Sequence, residues 1–314
     1  MSEGNKKVKI SERSKGKILT LSHLTEGFTK SFDGTRICYR SFGKGEPAIV
    51  CCNGLGVGTF FWAHLERFFR TKHRVITWDY RGHGPSELKK NPKTYNLQAL
   101  IQDCKAVLNA LEVKQAIFVG HSLGAQLLLE MYRHWPKRFA GLILCFGTYG
   151  HPMDHFYNTR LSRYLFELCY RLGTRFPSQS NFISQLLLDN PLSFWMGGLL
   201  KIMNTGMMKK EDSDRYIKHL LKVDPLFFTM LLKSLQGHSA EDILKKIRTP
   251  TLILAGEMDQ FTPNWISKKM HRLILDSELL LMHNATHAGL AEQPDLINLR
   301  IEKFLNERIK SRRR

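Results

Sequence analysis

The sequence predicts an α/β fold, with a mostly parallel sheet flanked by helices and interrupted by a helical insertion. Three observations predict it. Short apolar runs recur along the chain without the alternation of a half-exposed strand, so their strands are covered on both faces. Segments with helical spacing of apolar residues lie between those runs. The alternation then stops between about residues 148 and 249, in a stretch rich in Leu, Phe, Tyr and Met, and resumes at Thr249-Pro250-Thr251.

Taken in order, the Asp33-Gly34 turn signal ahead of residues 37–42 predicts a hairpin with the segment before it. Further strands are expected at residues 48–52, 75–78, 116–119, 142–145, 251–254 and 279–282. A helix is expected over residues 97–111, where Leu97, Leu100, Ile101, Cys104, Leu108 and Leu111 share one face. A second is expected over 125–134, and a last amphipathic one over 295–309 with a basic tail. Residues 148–248 read as several helices inserted into a sheet domain whose halves are 23–147 and 249–314. Residues 1–22 read as a basic N-terminal tail.

Composition narrows the class. The 314 residues are 43% hydrophobic and 24% charged, enough to bury a core and unlike a disordered chain. No run of about 18 apolar residues exists, which argues against a membrane span. The first 30 residues lack an apolar signal core, so a cytoplasmic location is expected. Lys and Arg number 47 against 28 Asp and Glu, a net charge of +19, with dense ends at Lys6-Lys7-Val8-Lys9 and Lys310-Ser311-Arg312-Arg313-Arg314. Such a balance serves solubility and can also attract an anionic membrane surface peripherally. Charge alone, with no nucleic-acid motif beside it, does not make nucleic acid an expected partner. The six cysteines form no CxxC or zinc spacing. No metal and no cofactor is expected.

The chemistry centres on Gly120-His121-Ser122-Leu123-Gly124, which follows an expected strand and opens an expected helix. That is the context in which G-x-S-x-G lifts a serine hydroxyl above a sheet on a strained turn. The helix N-terminus there favours developing negative charge. A serine hydroxyl is a poor nucleophile at neutral pH, so it needs a base and a group to orient that base. The chain order expected for this turn is Ser, then Asp or Glu, then His. Asp259, in Gly256-Glu257-Met258-Asp259, lies just beyond one strand, and His287 follows the next. Glu257 rivals Asp259; the latter is preferred because the turn needs a residue beyond the strand's tip. His283 rivals His287 from nearer its strand.

With these residues in place the sequence resembles the α/β-hydrolase superfamily over nearly all of residues 25–309. The resemblance rests on Cys52-Asn53-Gly54-Leu55, on Asp79-Tyr80-Arg81-Gly82-His83-Gly84-Pro85-Ser86, on residues 120–124, on 256–263 and on 287–294, all in order. It implies a sheet of about eight strands and a helical cap after the sixth, at residues 148–248. It also implies an oxyanion hole from the backbone N–H groups of Leu55 and Leu123. The chain departs from the family where Asn53-Gly54 stands in place of the common His-Gly.

Relatives that open epoxides or displace halide use a carboxylate as nucleophile, so Ser122 favours attack on an acyl carbonyl. The expected function is therefore a serine esterase or lipase-like hydrolase that cleaves a carboxylic ester or thioester, with a hydrophobic acyl chain. Acyl transfer or C–C bond hydrolysis on the same triad is the alternative, and a non-catalytic ligand-binding protein a second. The implied cap is dense in Met and Leu around residues 192–208, which suits an adaptable apolar chain. Gly197-Gly198 offers a hinge, and Asp189 and Pro191 argue against a span. Lys201, Lys209 and Lys210 beside that run suggest contact with anionic headgroups.

Overall fold

The computed structural model describes residues 24–190 and 192–310. The expected basic tail, residue 23, Pro191 and the last four residues lie outside the described residues. Along the chain run β1 (Leu24–Lys30), β2 (Arg36–Phe42), β3 (Ala48–Cys52), α1 (Ala63–Phe69), β4 (Val75–Trp78), α2 (Leu97–Ala110), β5 (Ala116–His121), α3 (Leu123–His134) and β6 (Phe139–Cys145). The helices α4 (Leu161–Arg175), α5 (Pro177–Leu188), α6 (Ser193–Leu199), α7 (Lys210–Leu220), α8 (Pro225–Gln236) and α9 (Glu241–Leu244) follow. Then come β7 (Thr251–Gly256), α10 (Asn264–Leu273), β8 (Ser277–Met282), α11 (Gly289–Glu292) and α12 (Pro294–Phe304), the last running on into a π-helical turn over Leu305–Lys310.

The eight strands form one sheet in the order β1-β2-β4-β3-β5-β6-β7-β8. β1 pairs antiparallel with β2 through the expected hairpin, β2 pairs antiparallel with β4, and every other pair is parallel. Every residue of β3, β4, β5 and β7 is buried, which is why those runs carry no polar alternation. One face is covered by α2, α3, α8 and α10, through residues such as Leu100, Leu128, Phe227 and Ile266. The other is covered by α1 and α12, through Leu65, Phe69, Ile297 and Phe304.

The helix ends follow from their sequences. Asn96 caps α2 by accepting the Ala99 N–H at 2.9 Å, and Asp224 caps α8 by accepting the Phe227 N–H at 2.8 Å ahead of Pro225. Between β6 and β7 the described residues form helices joined by loops, with no strand and one isolated bridge between Gly150 and Ser239. Leaving β3 the chain passes to β4 on one side and then crosses to β5 on the other. Strand order therefore reverses between β3 and β5, and the crevice at their carboxyl ends is where an open α/β sheet offers a binding site.

Candidate active site

The Ser122 backbone sits at φ 54°, ψ −114°, between the end of β5 and the first turn of α3. A side chain at positive φ is strained, and the surrounding packing holds it there. The Ser122 N–H donates to the Cys145 carbonyl at 3.0 Å, and the Ser122 carbonyl accepts the Ala125 N–H at 3.0 Å. Two glycines make the turn sterically feasible. A Cβ on Gly120 would stand 2.5 Å from the Gly124 carbonyl oxygen, and one on Gly124 would overlap the Cys52 carbonyl oxygen. The G-x-S-x-G spacing is therefore a packing requirement between α3, β5 and the end of β3.

The other two groups arrive from β7 and β8. Gly256 ends β7 so close to Ala285 that a Cβ would overlap the Ala285 carbonyl, and the Met258 N–H donates to that same carbonyl at 2.9 Å. This approach brings the loop after β7 against the loop after β8. Asp259 is buried and accepts four hydrogen bonds. Oδ1 accepts from the Phe261 and Thr262 N–H groups at 2.8 and 2.9 Å, and Oδ2 from the Thr262 hydroxyl at 2.8 Å and from His287 Nδ1 at 2.9 Å. Four donors fill the acceptor capacity of an ionised carboxylate. A carboxylate at Nδ1 fixes the tautomer in which His287 Nε2 is unprotonated. Nε2 accepts the Ser122 hydroxyl at 2.9 Å.

The rival residues pair with each other instead. Glu257 accepts from His283 Nδ1 at 2.6 Å on the surface, where the His283 side chain is 81% exposed. Neither touches His287 or Ser122 through any hydrogen bond among the described residues.

The Leu55 loop after β3 is braced from beneath. Asn53 is fully buried; its Nδ2 donates to the Trp78 carbonyl at 3.0 Å, its Oδ1 accepts the Trp62 indole N–H at 2.6 Å, and its carbonyl accepts the Tyr80 hydroxyl at 2.7 Å. Asn thus anchors the strand end through both halves of its amide. One residue beyond Leu55, the Gly56 N–H donates to His83 Nε2 at 3.2 Å, while His83 Nδ1 donates to the Arg81 carbonyl at 3.2 Å. Burial pushes the His83 imidazole down to about 4, so the neutral tautomer that accepts from Gly56 persists at neutral pH. His83 lies in the 79–86 run, but a link across 27 residues of chain has no signal in spacing.

A cavity of about 390 Å³ opens over Ser122 and His287. Leu55 and Leu123 line it, and the helical insertion supplies Met153, Phe156, Ile202, Met203, Met208 and Tyr216. Of the Met and Leu residues around 192–208, Met203 and Met208 face the cavity, whereas Leu192, Leu199 and Leu200 are exposed. A Cβ on Gly197 would press on Met203 and one on Gly198 on Thr205, so both glycines let α6 pack closely against the segment that follows it. Sequence reasoning missed Gln126 and Tyr216, the polar side chains that join Ser122 and His287 on the cavity wall beside Thr148 and Thr262. Burial holds the Tyr216 phenol up at about 12, so it faces the cavity protonated. It also missed Glu292, which accepts the Thr286 N–H at 2.9 Å beside His287 and the Asn204 N–H at 2.7 Å from the insertion. Among the described residues no group of three His, Cys, Asp or Glu side chains is arranged to hold a metal ion, and no helix is long and apolar enough to cross a membrane.

The sequence profile of the alpha/beta hydrolase fold matches residues 47–294. This chain belongs to the α/β-hydrolase family. This α/β-hydrolase is 26% identical over 280 residues to the uncharacterized hydrolase YugF of Bacillus subtilis, covering 87% of this chain and 95% of that protein. It is 25% identical over 292 residues to epoxide hydrolase 4 of Mus musculus, covering 87% of this chain and 77% of that one. In fold it superimposes on the enol-lactonase of Burkholderia xenovorans LB400 with a TM-score of 0.74 at 19% identity, over 90% of this chain and all of the other.

Proposed function

We propose that this α/β-hydrolase cleaves a carboxylic ester or thioester with an apolar acyl chain, through an acyl-enzyme on Ser122. The observation that carries the reading is the unbroken relay from Ser122 Oγ through His287 to Asp259, with 2.9 Å at each link, opening onto an apolar cavity. Relatives named epoxide hydrolase and enol-lactonase span several bond types. The serine favours the acyl-carbonyl reading among them, since opening an epoxide to an alkyl-enzyme ester calls for a carboxylate nucleophile.

In this mechanism His287 Nε2 takes the Ser122 proton as Oγ attacks the carbonyl carbon. Asp259 stabilises the imidazolium that forms. The oxyanion is held by the N–H groups of Leu55 and Leu123; the latter opens α3, where an N–H has no acceptor within its own helix. Collapse expels the alkoxide or thiolate, which takes the proton back from His287. A water activated by the same imidazole then releases the acid and regenerates Ser122. Residues 148–248 act as the cap, because that segment supplies much of the apolar wall over the nucleophile.

The test is fluorophosphonate labelling together with turnover of p-nitrophenyl esters from acetate to palmitate, on wild type and Ser122→Ala. Labelling confined to the wild type, with activity retained on longer chains, supports the proposal. A steep fall beyond butyrate removes the apolar-chain part of it. Absence of labelling and of turnover on every ester removes the hydrolase reading. Product analysis with added alcohols separates hydrolysis from acyl transfer.

A further inference from the structure

Most of the exposed large apolar side chains lie between residues 157 and 207, on α4, α5, α6 and their connections. On α4, Leu161, Tyr164, Leu165, Leu168 and Leu172 are all exposed. Their spacing of three, four, seven and eleven from Leu161 puts them on a single helical face. The opposite face of α4 is the one buried on the protein, through Ser162 and Phe166. On α6, Trp195 is 65% and Leu199 84% exposed, while Phe194 turns inward. The Tyr157 hydroxyl donates to the Leu200 carbonyl, tying the end of α6 to the start of α4. Exposed apolar side chains concentrated in this way mark an interaction site.

The charges around it select the partner. Arg160, Arg163, Arg171, Arg175 and Lys201 are exposed on the same segment, against Glu167 and Asp189. Glu167 is already engaged by Lys233 and Arg171. The chain as a whole carries +19. A second copy packed face to face would bring together two patches that each carry an excess of positive charge, and like charges oppose that arrangement. An apolar stripe with Arg and Lys at its margins and Trp and Tyr within it is instead the pattern of a surface that lies in a lipid headgroup layer.

We propose that α4–α6 dock this protein peripherally on an anionic lipid bilayer, with the α4 stripe and Trp195–Leu199 of α6 immersed at the headgroup boundary. No helix crosses the membrane in this arrangement. Phe194 packs against Met203 and Met208, and these two line the cavity over Ser122. The docked face therefore stands one packing layer from that cavity. The docking proposal does not depend on the hydrolase reading, and its test needs no turnover.

The test is co-sedimentation of the full chain with phosphatidylcholine vesicles containing phosphatidylglycerol, and with pure phosphatidylcholine vesicles. Binding to the anionic vesicles is expected to weaken roughly tenfold with added salt and roughly tenfold or more in Leu161→Ser/Leu165→Ser/Leu199→Ser. Leu275→Ser, at a 79% exposed site on another part of the surface, is expected to bind as wild type does. Cys169 on α4 is exposed and the other cysteines are buried, so an environment-sensitive dye on Cys169 reads docking in the wild-type chain itself. A blue shift with anionic vesicles supports the proposal even where the triple variant fails to fold. Absence of binding and of a shift overturns it, and so does undiminished binding by the folded triple variant. Self-association of the wild type that the triple variant abolishes would assign the face to a second copy and equally overturn it.

Discussion

His121 donates its Nε2–H to the main-chain carbonyl of His287 at 3.0 Å. The residue before Ser122 thus holds the backbone of the residue whose ring accepts the Ser122 hydroxyl. The other ring nitrogen, Nδ1, is buried against Gly54 and has no hydrogen-bond partner among the described residues. Burial, with His287 nearby, pushes the His121 imidazole down to about 3, so the ring stays neutral and keeps its single proton on Nε2. Replacing it with phenylalanine keeps the packing against Phe61 and removes the bond. His121→Phe is expected to lower kcat about tenfold with KM nearly unchanged, because a small displacement of the base is costly in the transition state. Steady-state kinetics on a p-nitrophenyl ester would read this split; an unchanged kcat would mean that the bond positions nothing.

His83 and His121 also predict how stability depends on pH. Both imidazoles are depressed in the folded state, to about 4 and about 3, from an ordinary value of 6.5. The unfolded chain therefore binds more protons than the folded one over that interval. Their contribution is complete above pH 6.5 and is lost progressively as pH falls toward 4 and then 3. At about 1.4 kcal/mol per pH unit per group, the loss amounts to several kcal/mol. Urea unfolding at a series of pH values between 7 and 4 should show it, with a shallower slope in His83→Gln.

Gly124→Ala tests the steric basis of the serine turn. The added Cβ overlaps the Cys52 carbonyl, and both partners are backbone in packed elements. The expected cost is several kcal/mol, enough to leave little folded protein. Gly206→Ala, whose Cβ would meet only the Asn204 side chain at 3.4 Å, should change the unfolding midpoint little.

The two acids after β7 should separate cleanly. Asp259→Asn leaves the shape intact but no longer selects the His287 tautomer, and kcat is expected to fall about 10⁴-fold, as in other serine triads. Glu257→Gln breaks only a surface contact with His283 and should leave kcat within twofold or so. Comparable losses in both variants would contradict the assignment of Asp259.

Much of this was legible in the residues because it answers to local constraints. Strands covered on both faces must be apolar throughout, so β3, β5 and β7 stand out as runs such as Ala48-Ile49-Val50 and Leu252-Ile253-Leu254. Gly120 and Gly124 announce the serine turn because no other residue fits there. What spacing could not supply are contacts between segments distant in the chain. The choice of Asp259 over Glu257 is made by the approach of Gly256 to Ala285, and the support of Leu55 by Asn53, Trp62 and His83. Composition marks residues 148–248 as helices rich in apolar residues, but not that Leu161, Leu165 and Leu168 of α4 would be left uncovered.

The sequence by itself determined the sheet, the position of the insertion and the residue types at the serine turn, since chain connectivity and excluded volume act over a few residues. Tertiary structure alone decided which carboxylate meets the imidazole, which neutral histidines brace the two loops and which apolar faces remain open to the outside. Those outcomes depend on how separate loops and helices approach one another in space, and that geometry is set by packing across the whole fold.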